Sequence, residues 1–267
     1  MYLVFDIGAT KIRLAVSSDG QNLSEPEIIP TPQDFDEGIK VFAETAKKLA
    51  NGQKIEKAAG AVRNLDKTKT RIESHPHIPF WSNQPLKEVL ENALSAPVHL
   101  ENDAALAGLG EARQGTSRDF SIVAYLTIST GVGGARIVNG KIDQNALGFE
   151  PGFQIIDKDN LLSLEDLVAG YGLKKRYGKK GEDINDPAVW DEVAKNLAIG
   201  INNSIVHWSP NVVILGGSVM KSLDLEKIKS YLQEVTKIFP DLPEIKKAQL
   251  GDSSALWGAL ACLNNSR

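Results

Sequence analysis

The stretch that decides the fold is MYLVFDIGATKIRLAV, residues 1–16. An apolar run ends at Asp6, a turn of small residues follows at 8–10, and a second apolar run begins at Lys11, which predicts a β-hairpin. The turn has little side chain to keep an anion such as phosphate away from its backbone N–H groups. A carboxylate at the strand end suits a hydrated Mg²⁺ that accompanies a phosphate. An ordinary β-turn with a capping Asp is the alternative for this stretch alone.

Length and composition are those of an average globular protein. The chain has 267 residues, of which 42% are hydrophobic and 24% charged, and its net charge is −4. This balance provides no basic surface for nucleic acid. The single cysteine, Cys262, excludes an internal disulfide framework and a thiolate-rich metal site. No apolar run reaches the ~18 residues of a membrane span and no signal peptide is evident, so we expect a cytoplasmic protein without membrane attachment.

The strand–turn–strand pattern occurs twice, and the second copy covers residues 120–142 (FSIVAYLTISTGVGGARIVNGKI). Strand and helix patterns follow both copies, which predicts an α/β protein with two domains, 1–107 and 108–267, whose last helix packs back on the first. A small ligand is expected to bind in a cleft between such halves. Further strands are predicted at 57–62, 96–103 and 211–218, and helices at 36–52, 84–94, 104–113, 161–178, 188–209, 223–239 and 253–265.

Two more glycine-bearing turns suit a nucleotide. The turn with Thr130, Gly131 and Gly133 lacks the G-x-G-x-x-G spacing of dinucleotide sites and the Lys-Ser/Thr pair of a P-loop. Paired with the first turn, it could hold a triphosphate from both sides. Gly216 and Gly217 follow a buried strand and could let an adenosine lie against the backbone. A plain strand-to-loop turn is the alternative there.

Carboxylates at two further places suit work on a hydroxylated substrate. Asn102 and Asp103 lie at a strand-to-helix junction, where an Asp can accept a hydroxyl proton during phosphoryl transfer, although helix capping explains both residues as well. Glu150, on a loop, and Glu165, at a helix start, could receive sugar hydroxyls. A solvated loop and a favourable charge at a helix N-terminus are their alternatives.

In this order the motifs resemble the ROK family (repressors, open reading frames and kinases). The kinases of this family act on sugars, and they have the actin-like ATPase (ribonuclease H-like) fold with an interdomain cleft. The combination of ENDA (101–104) with TGVGGA (130–135) is the specific part of the resemblance. EPGF, LEDLVAG and VVILGGS extend it nearly end to end.

The resemblance implies transfer of the γ-phosphate of ATP to a hexose hydroxyl, at C6, with glucose or a related hexose or N-acetylhexosamine as substrate. It also implies a homodimer, while the charge balance argues against nucleic acid as a partner. A non-catalytic sugar-binding regulator is the alternative, and the absence of an N-terminal DNA-binding segment argues against it. The implied roles are Asp103 as general base; Asn102, Glu150, Glu165 and Gly60 at the sugar; Asp6, Gly8, Thr10, Lys11, Thr130, Gly131 and Gly133 at the phosphates, with Asp6 near Mg²⁺ through water; and Gly216 and Gly217 at the adenosine.

The chain departs from the family pattern at several positions. Phe153 follows Gly152 where these kinases usually have a sugar-contacting His, so an apolar wall is expected there. The zinc-binding cysteine motif is missing, and no structural zinc is expected. His77 stands in HIPFW where an Asn is common, and the usual Pro-Gly reads Ala59-Gly60. These departures leave the identity of the sugar open.

Overall fold

The computed structural model describes residues 1–74 and 77–265, the side chain of Asn265 excepted. The chain forms two compact units, one of Met1–Arg113 with Asp252–Arg267 and the other of Gln114–Gly251. Each unit contains a five-stranded sheet with helices. None of the described helices combines the length and apolar character that crossing a membrane requires.

The sheet of the first unit has the strand order β3-β2-β1-β4-β5. Strands β1, β2 and β3 are antiparallel neighbours, whereas β4 and β5 run parallel to β1. In register, Ile7 lies beside Val62 and Val62 beside Asn102, so β1, β4 and β5 end at one edge of the sheet. The bounds are β1 Tyr2–Ile7, β2 Lys11–Ser17, β3 Glu27–Pro30, β4 Lys57–Val62 and β5 Val98–Asn102.

Four helices cover this sheet: α1 Phe35–Ala50, α2 Leu86–Leu94, α3 Asp103–Arg113 and the C-terminal α8 Ser254–Asn265. The core beneath α1 is aromatic, with Phe5 and Phe42 packed edge to face at 5.0 Å between ring centroids. Helices α3 and α8 pack so closely that Gly258 leaves no room for a side chain against Leu106. The predicted domain boundary after Ala107 lies inside α3, and the compact unit continues to Arg113.

The second unit has a sheet of order β12-β11-β6-β7-β8, in which β11 runs parallel to β6 and β12 while β6, β7 and β8 are antiparallel. Strands β9 and β10, which come between β8 and β11 in the chain, form a separate two-stranded sheet. The strands are β6 Ile122–Ile128, β7 Val132–Val138, β8 Lys141–Ile142, β9 Ile155–Asp157, β10 Leu162–Ser163, β11 Val212–Gly216 and β12 Glu244–Lys247. The helices are α4 Leu164–Val168, α5 Gly170–Tyr177, α6 Pro187–Trp208 and α7 Leu225–Val235.

The prediction of one helix over 161–178 is wrong. Ser163 caps α4 with a reciprocal capping box, and Ala169 is extended, which separates α4 from α5. The N–H groups of Gly170 and Tyr171 donate to carbonyls of Ser129 and Thr130 instead of continuing α4. The chain therefore breaks between α4 and α5 because the start of α5 hydrogen-bonds to the turn after β6.

Other differences from the sequence prediction are smaller. The helix expected over 223–239 ends at Val235, because Thr236 is extended. A short 3-10 helix lies at Pro79–Trp81, and His75 and Pro76, shortly before it, lie outside the described residues. Strands β3, β9, β10 and β12 are short and were not predicted.

Candidate functional site

Two predicted site carboxylates lie at the same sheet edge of the first unit. Asp6 lies near the end of β1, and Asp103 begins α3 directly after β5. The pKa of Asp6 is raised to about 6. Burial is the main cause, the negative charge of Asp103 adds to the rise, and Arg13 opposes it. The site therefore concentrates negative charge where a cation would relieve it.

Arg13 is a site residue that the sequence reasoning missed. It lies opposite Asp6 in the antiparallel register of β1 and β2, and its Nη1 is 3.2 Å from Oδ2 of Asp6. Its Nη2 is 3.0 Å from Oδ2 of Asp252, which lies just before α8. The hairpin register was the available signal, since Asp6 and Arg13 stand symmetrically about the turn.

The first glycine turn is held by its own backbone and by Thr31. The N–H of Gly8 donates to the carbonyl of Lys11 at 3.0 Å, and the hydroxyl of Thr31 donates to the carbonyl of Gly8 at 2.6 Å. The N–H of Thr31 donates to the carbonyl of Thr10 at 3.1 Å. Thr10 and Lys11 are exposed at the tip of this anchored turn. Their hydroxyl and ammonium groups are thus presented on a fixed backbone.

The junction of β5 and α3 uses Asn102 and Asp103 for helix capping as well. The Oδ1 of Asn102 accepts from the N–H of Ala105 at 3.1 Å, and Oδ1 of Asp103 accepts from the N–H of Ala104 at 2.8 Å. The capping alternative is therefore present in the structure. It occupies one oxygen of Asp103 and fixes the orientation of the carboxylate, which remains half-buried at the sheet edge.

Gly60 is not brought to this edge. It lies inside β4, beside Phe5 and Leu100 in register, and it is buried. A Cβ at this position would lie 1.9 Å from the ring of Phe5. Close packing with Phe5 accounts for the glycine.

In the second unit, the turn after β6 is tied to α4 and α5. The carbonyls of Ser129 and Thr130 accept from the N–H groups of Gly170 (2.8 Å) and Tyr171 (3.0 Å). The Oε2 of Glu165 accepts from the N–H of Val132 at 2.8 Å, directly after Gly131. Glu165, predicted to contact sugar, thus braces the predicted phosphate turn.

The turn after β11 lies against the turn after β6. Gly216 pairs with Thr127 of β6, and Gly217 has φ +94°, a conformation that favours glycine. A Cβ on Gly217 would lie 2.1 Å from the carbonyl oxygen of Ile128. The hydroxyls of Ser218 and Ser129 are 3.1 Å apart. The structure thus joins the predicted phosphate and adenosine turns, and Gly133 lies next to them, opposite Thr127 in β7.

A cavity of about 390 Å³ lies within the second unit, between the start of α6 and residues 222–227. Residues 222–224 directly follow the 3-10 helix Ser218–Lys221, which begins after Gly217. The walls of the cavity include the apolar Ile184 and Trp190 and the charged pair of Asp191 and Lys227, whose Oδ1 and Nζ atoms are 2.5 Å apart. Apolar and charged side chains thus share the lining of this cavity.

The ROK family model matches residues 2–266. The chain belongs to the ROK family. It is 28% identical to an N-acetyl-D-glucosamine kinase from Histophilus somni over 98% of both chains. It is 30% identical to a fructokinase from Pediococcus pentosaceus over 68% of this chain and 69% of that protein. The crystal structure of a ROK hexokinase from Thermus thermophilus superposes with a TM-score of 0.84 at 27% identity, covering 99% of this chain and 98% of that one.

The remaining ROK motif, EPGF, lies on a short 3-10 helix at Pro151–Phe153. A Cβ on Gly152 would lie 2.3 Å from the carbonyl oxygen of Val132, so this segment packs directly on β7. Glu150 is exposed, and 65% of Phe153 is exposed. Because Glu165 holds the N–H of the same Val132, the structure places Glu150, Phe153 and Glu165 around one corner of the second unit.

His77 is exposed before the 3-10 helix Pro79–Trp81. In the described part of the ROK chain, no group of three or more His, Cys, Asp and Glu side chains is arranged to hold a metal ion directly.

Proposed function

We propose that this protein is an ATP-dependent sugar kinase that transfers the γ-phosphate of ATP to a hydroxyl of a hexose or N-acetylhexosamine, at C6. The observation that carries the proposal is that the strand register brings Asp6 and Asp103 to one sheet edge of a ROK chain. The kinases named among its relatives act on sugars, which supports the substrate class.

Asp103 is the general base in this proposal. It accepts the proton of the sugar hydroxyl while that oxygen forms a bond to the γ-phosphorus and the bond from phosphorus to the ADP oxygen breaks. The proton leaves Asp103 to solvent after the sugar phosphate departs. The capping bond from the N–H of Ala104 holds the carboxylate at a fixed angle, which favours transfer along one direction.

Asp6 would hold the Mg²⁺ of the nucleotide through water. Its buried carboxylate and the adjacent Asp103 form a region of negative charge that fits a divalent cation. When bound, the ion neutralises charge on the phosphates during transfer. Arg13 keeps the Asp6 carboxylate in place through its ion pair.

Three glycine turns are the proposed nucleotide contacts. Gly8, Thr10 and Lys11 would contact the phosphates, as would Thr130, Gly131 and Gly133. Gly216 and Gly217 would contact the adenosine. The support is that Thr31 anchors the first turn, that Glu165 anchors the second, and that a cavity follows the third.

The sugar would be held by Asn102, Glu150 and Glu165, with Phe153 as an apolar wall. Because Oε2 of Glu165 is used by the N–H of Val132, a sugar hydroxyl would meet its other oxygen. An exposed phenyl ring gains from covering an apolar sugar face or the methyl of an acetamido group. We further expect a cytoplasmic homodimer, as the family resemblance implies.

The test is ADP release from MgATP by the purified protein with a panel of hexoses and N-acetylhexosamines. We expect turnover that requires one or a few of these sugars. Sugar binding without turnover would favour the non-catalytic regulator. ATP turnover that no sugar changes would favour an ATPase of another kind and would contradict the proposal.

A further inference from the structure

An ion pair between the exposed Lys69 and the buried Glu101 lies directly before the proposed general base, and it has no part in the proposed mechanism. The side chain of Glu101 is only 8% exposed, and its Oε2 lies 2.5 Å from Nζ of Lys69. Its Oε1 accepts from the backbone N–H of Asn102 at 3.0 Å. Both carboxylate oxygens are thus engaged, as a buried charge requires. The pair joins residues 32 positions apart in the chain.

The turn that delivers Lys69 is strongly ordered. Oδ1 of Asp66 accepts from the N–H groups of Thr70 (2.7 Å) and Arg71 (3.1 Å), and the N–H of Lys69 donates to the carbonyl of Asp66 at 2.9 Å. Lys69 itself has φ 55°, in the left-handed region that few non-glycine residues occupy. Such a conformation persists only where the surroundings enforce it.

The same turn is tied to the segment that precedes α2. The N–H of Asn83 donates to the carbonyl of Ile72 at 2.7 Å, and the N–H of Lys87 donates to the carbonyl of Thr70 at 3.0 Å. The ion pair of Lys69 therefore fastens this connected loop to the end of β5. The chain leaves that point through Asn102 and Asp103.

Few other charged groups face Glu101 in the described residues. Nε2 of His99 is 3.8 Å from Oε2 of Glu101, and desolvation lowers the pKa of His99. Burial, together with the negative charge of Glu101, raises the pKa of the Cys262 thiol to about 12. Among these residues Lys69 is the one lysine or arginine within ion-pair distance of Glu101. It is therefore the cation that balances the buried carboxylate.

We propose that Lys69 is a positioning residue for phosphoryl transfer. Through Glu101 it fixes the backbone N–H of Asn102, and so it sets the direction in which the next residue, Asp103, presents its carboxylate. This inference rests on the proposed kinase function. Lys69 does not touch the reacting atoms in this role, and its effect passes through Glu101.

The test compares Lys69→Met with Lys69→Arg and with Lys67→Met in the full-length protein. Lys67 is an exposed lysine of the same loop, and it forms no ion pair with any described residue. With MgATP and the best sugar of the panel, we expect Lys69→Met to lower kcat about 10-fold or more, since small misplacements of reacting groups are costly. The sugar KM should change little. The Tm should fall, because Lys69→Met removes the cation beside the buried Glu101 carboxylate, but the protein should stay folded at the assay temperature. Lys69→Arg should restore kcat to within about threefold, and Lys67→Met should match the wild type.

Glu101→Gln and the double variant test the route through Glu101. If Lys69 acts through Glu101, then Glu101→Gln lowers kcat to a similar extent, and the double variant is no slower than either single one. Additive losses in the double variant would overturn the inference. An unchanged kcat in Lys69→Met would also overturn the inference. Unfolding of Lys69→Met without an effect on the kcat of the folded protein would overturn it too, because the pair would then be purely structural. An inactive wild type would instead reject the proposed function, and this inference with it.

Discussion

The crossing of α3 and α8 predicts a strong effect from a single methyl group. A Cβ on Gly258 would lie 1.8 Å from the carbonyl oxygen of Leu106 and 2.6 Å from its carbonyl carbon. On the other helix, a Cβ on Gly110 would lie 2.1 Å from the carbonyl oxygen of Ser254. The obstructing atoms belong to helix backbone, so no side-chain rotation can relieve the contact. Gly258→Ala must therefore push the two helices apart.

The required displacement sets the size of the effect. The methyl carbon and the oxygen must separate by about a further 1.2 Å to reach 3.0 Å, below which such contacts are essentially never seen. Overpacking of a core costs about 1–3 kcal/mol, and a clash with backbone belongs at the upper end. We therefore expect a loss of about 3 kcal/mol in unfolding free energy. For a chain of this size, that lowers the Tm by about 6–12 °C.

Thermal unfolding followed by circular dichroism measures this directly. The control is Gly181→Ala, because a Cβ at Gly181 would meet its nearest atom, on Trp190, at an ordinary 3.6 Å. The control should melt within about 1–2 °C of the wild type, as expected of a substitution that fits its site. A Tm for Gly258→Ala equal to that of Gly181→Ala would refute the close packing of α3 on α8.

Two further predictions concern Asp6 at the sheet edge of the first unit and Phe153 beside the proposed sugar contacts. The pKa of Asp6 is raised from its ordinary value of 3.8 to about 6, so the stability contributed by its protonated form is complete below pH 3.8 and is lost as the pH rises through about 6. The wild type should thus lose about 2–3 kcal/mol relative to Asp6→Asn between pH 4 and pH 7 in urea titrations, and a difference independent of pH would contradict this. Phe153→His should raise the ratio of kcat/KM for glucose over N-acetylglucosamine about 10-fold, because it replaces an apolar wall with a hydrogen-bonding group. Phe239→His, at another exposed ring of the same unit, should leave that ratio unchanged, and equal ratios in both variants would contradict the role of Phe153.

Local patterns in the sequence carry much of this fold. The two strand–turn–strand stretches, 1–16 and 120–142, form hairpins because alternation and small turn residues act over a few positions. The placement of Asp6 and Asp103 at one edge follows from parallel strands that end together. These features depend on neighbours in the chain or on the general geometry of sheets.

Features that depend on distant partners could not be predicted. The break between α4 and α5 requires carbonyls of Ser129 and Thr130, some 40 residues earlier in the chain. The family resemblance implies that Gly60 contacts the sugar, whereas in the structure the absence of a side chain at Gly60 makes room for the ring of Phe5. The ion pair of Arg13 with Asp252 spans 239 positions, and no local pattern indicates it. Neither does any pattern near Glu101 indicate Lys69.

The central claim is that Asp103 accepts the proton of the sugar hydroxyl. The most direct measurement is kcat for sugar-dependent ADP release by Asp103→Asn, with sugar and nucleotide binding measured on the same sample. Asp36→Asn is the control, an exposed acid in the first turn of α1 in the same unit. We predict that Asp103→Asn binds both ligands but loses about 10²-fold or more in kcat, while Asp36→Asn retains full activity. An Asp103→Asn protein that turns over at the wild-type rate would contradict the account.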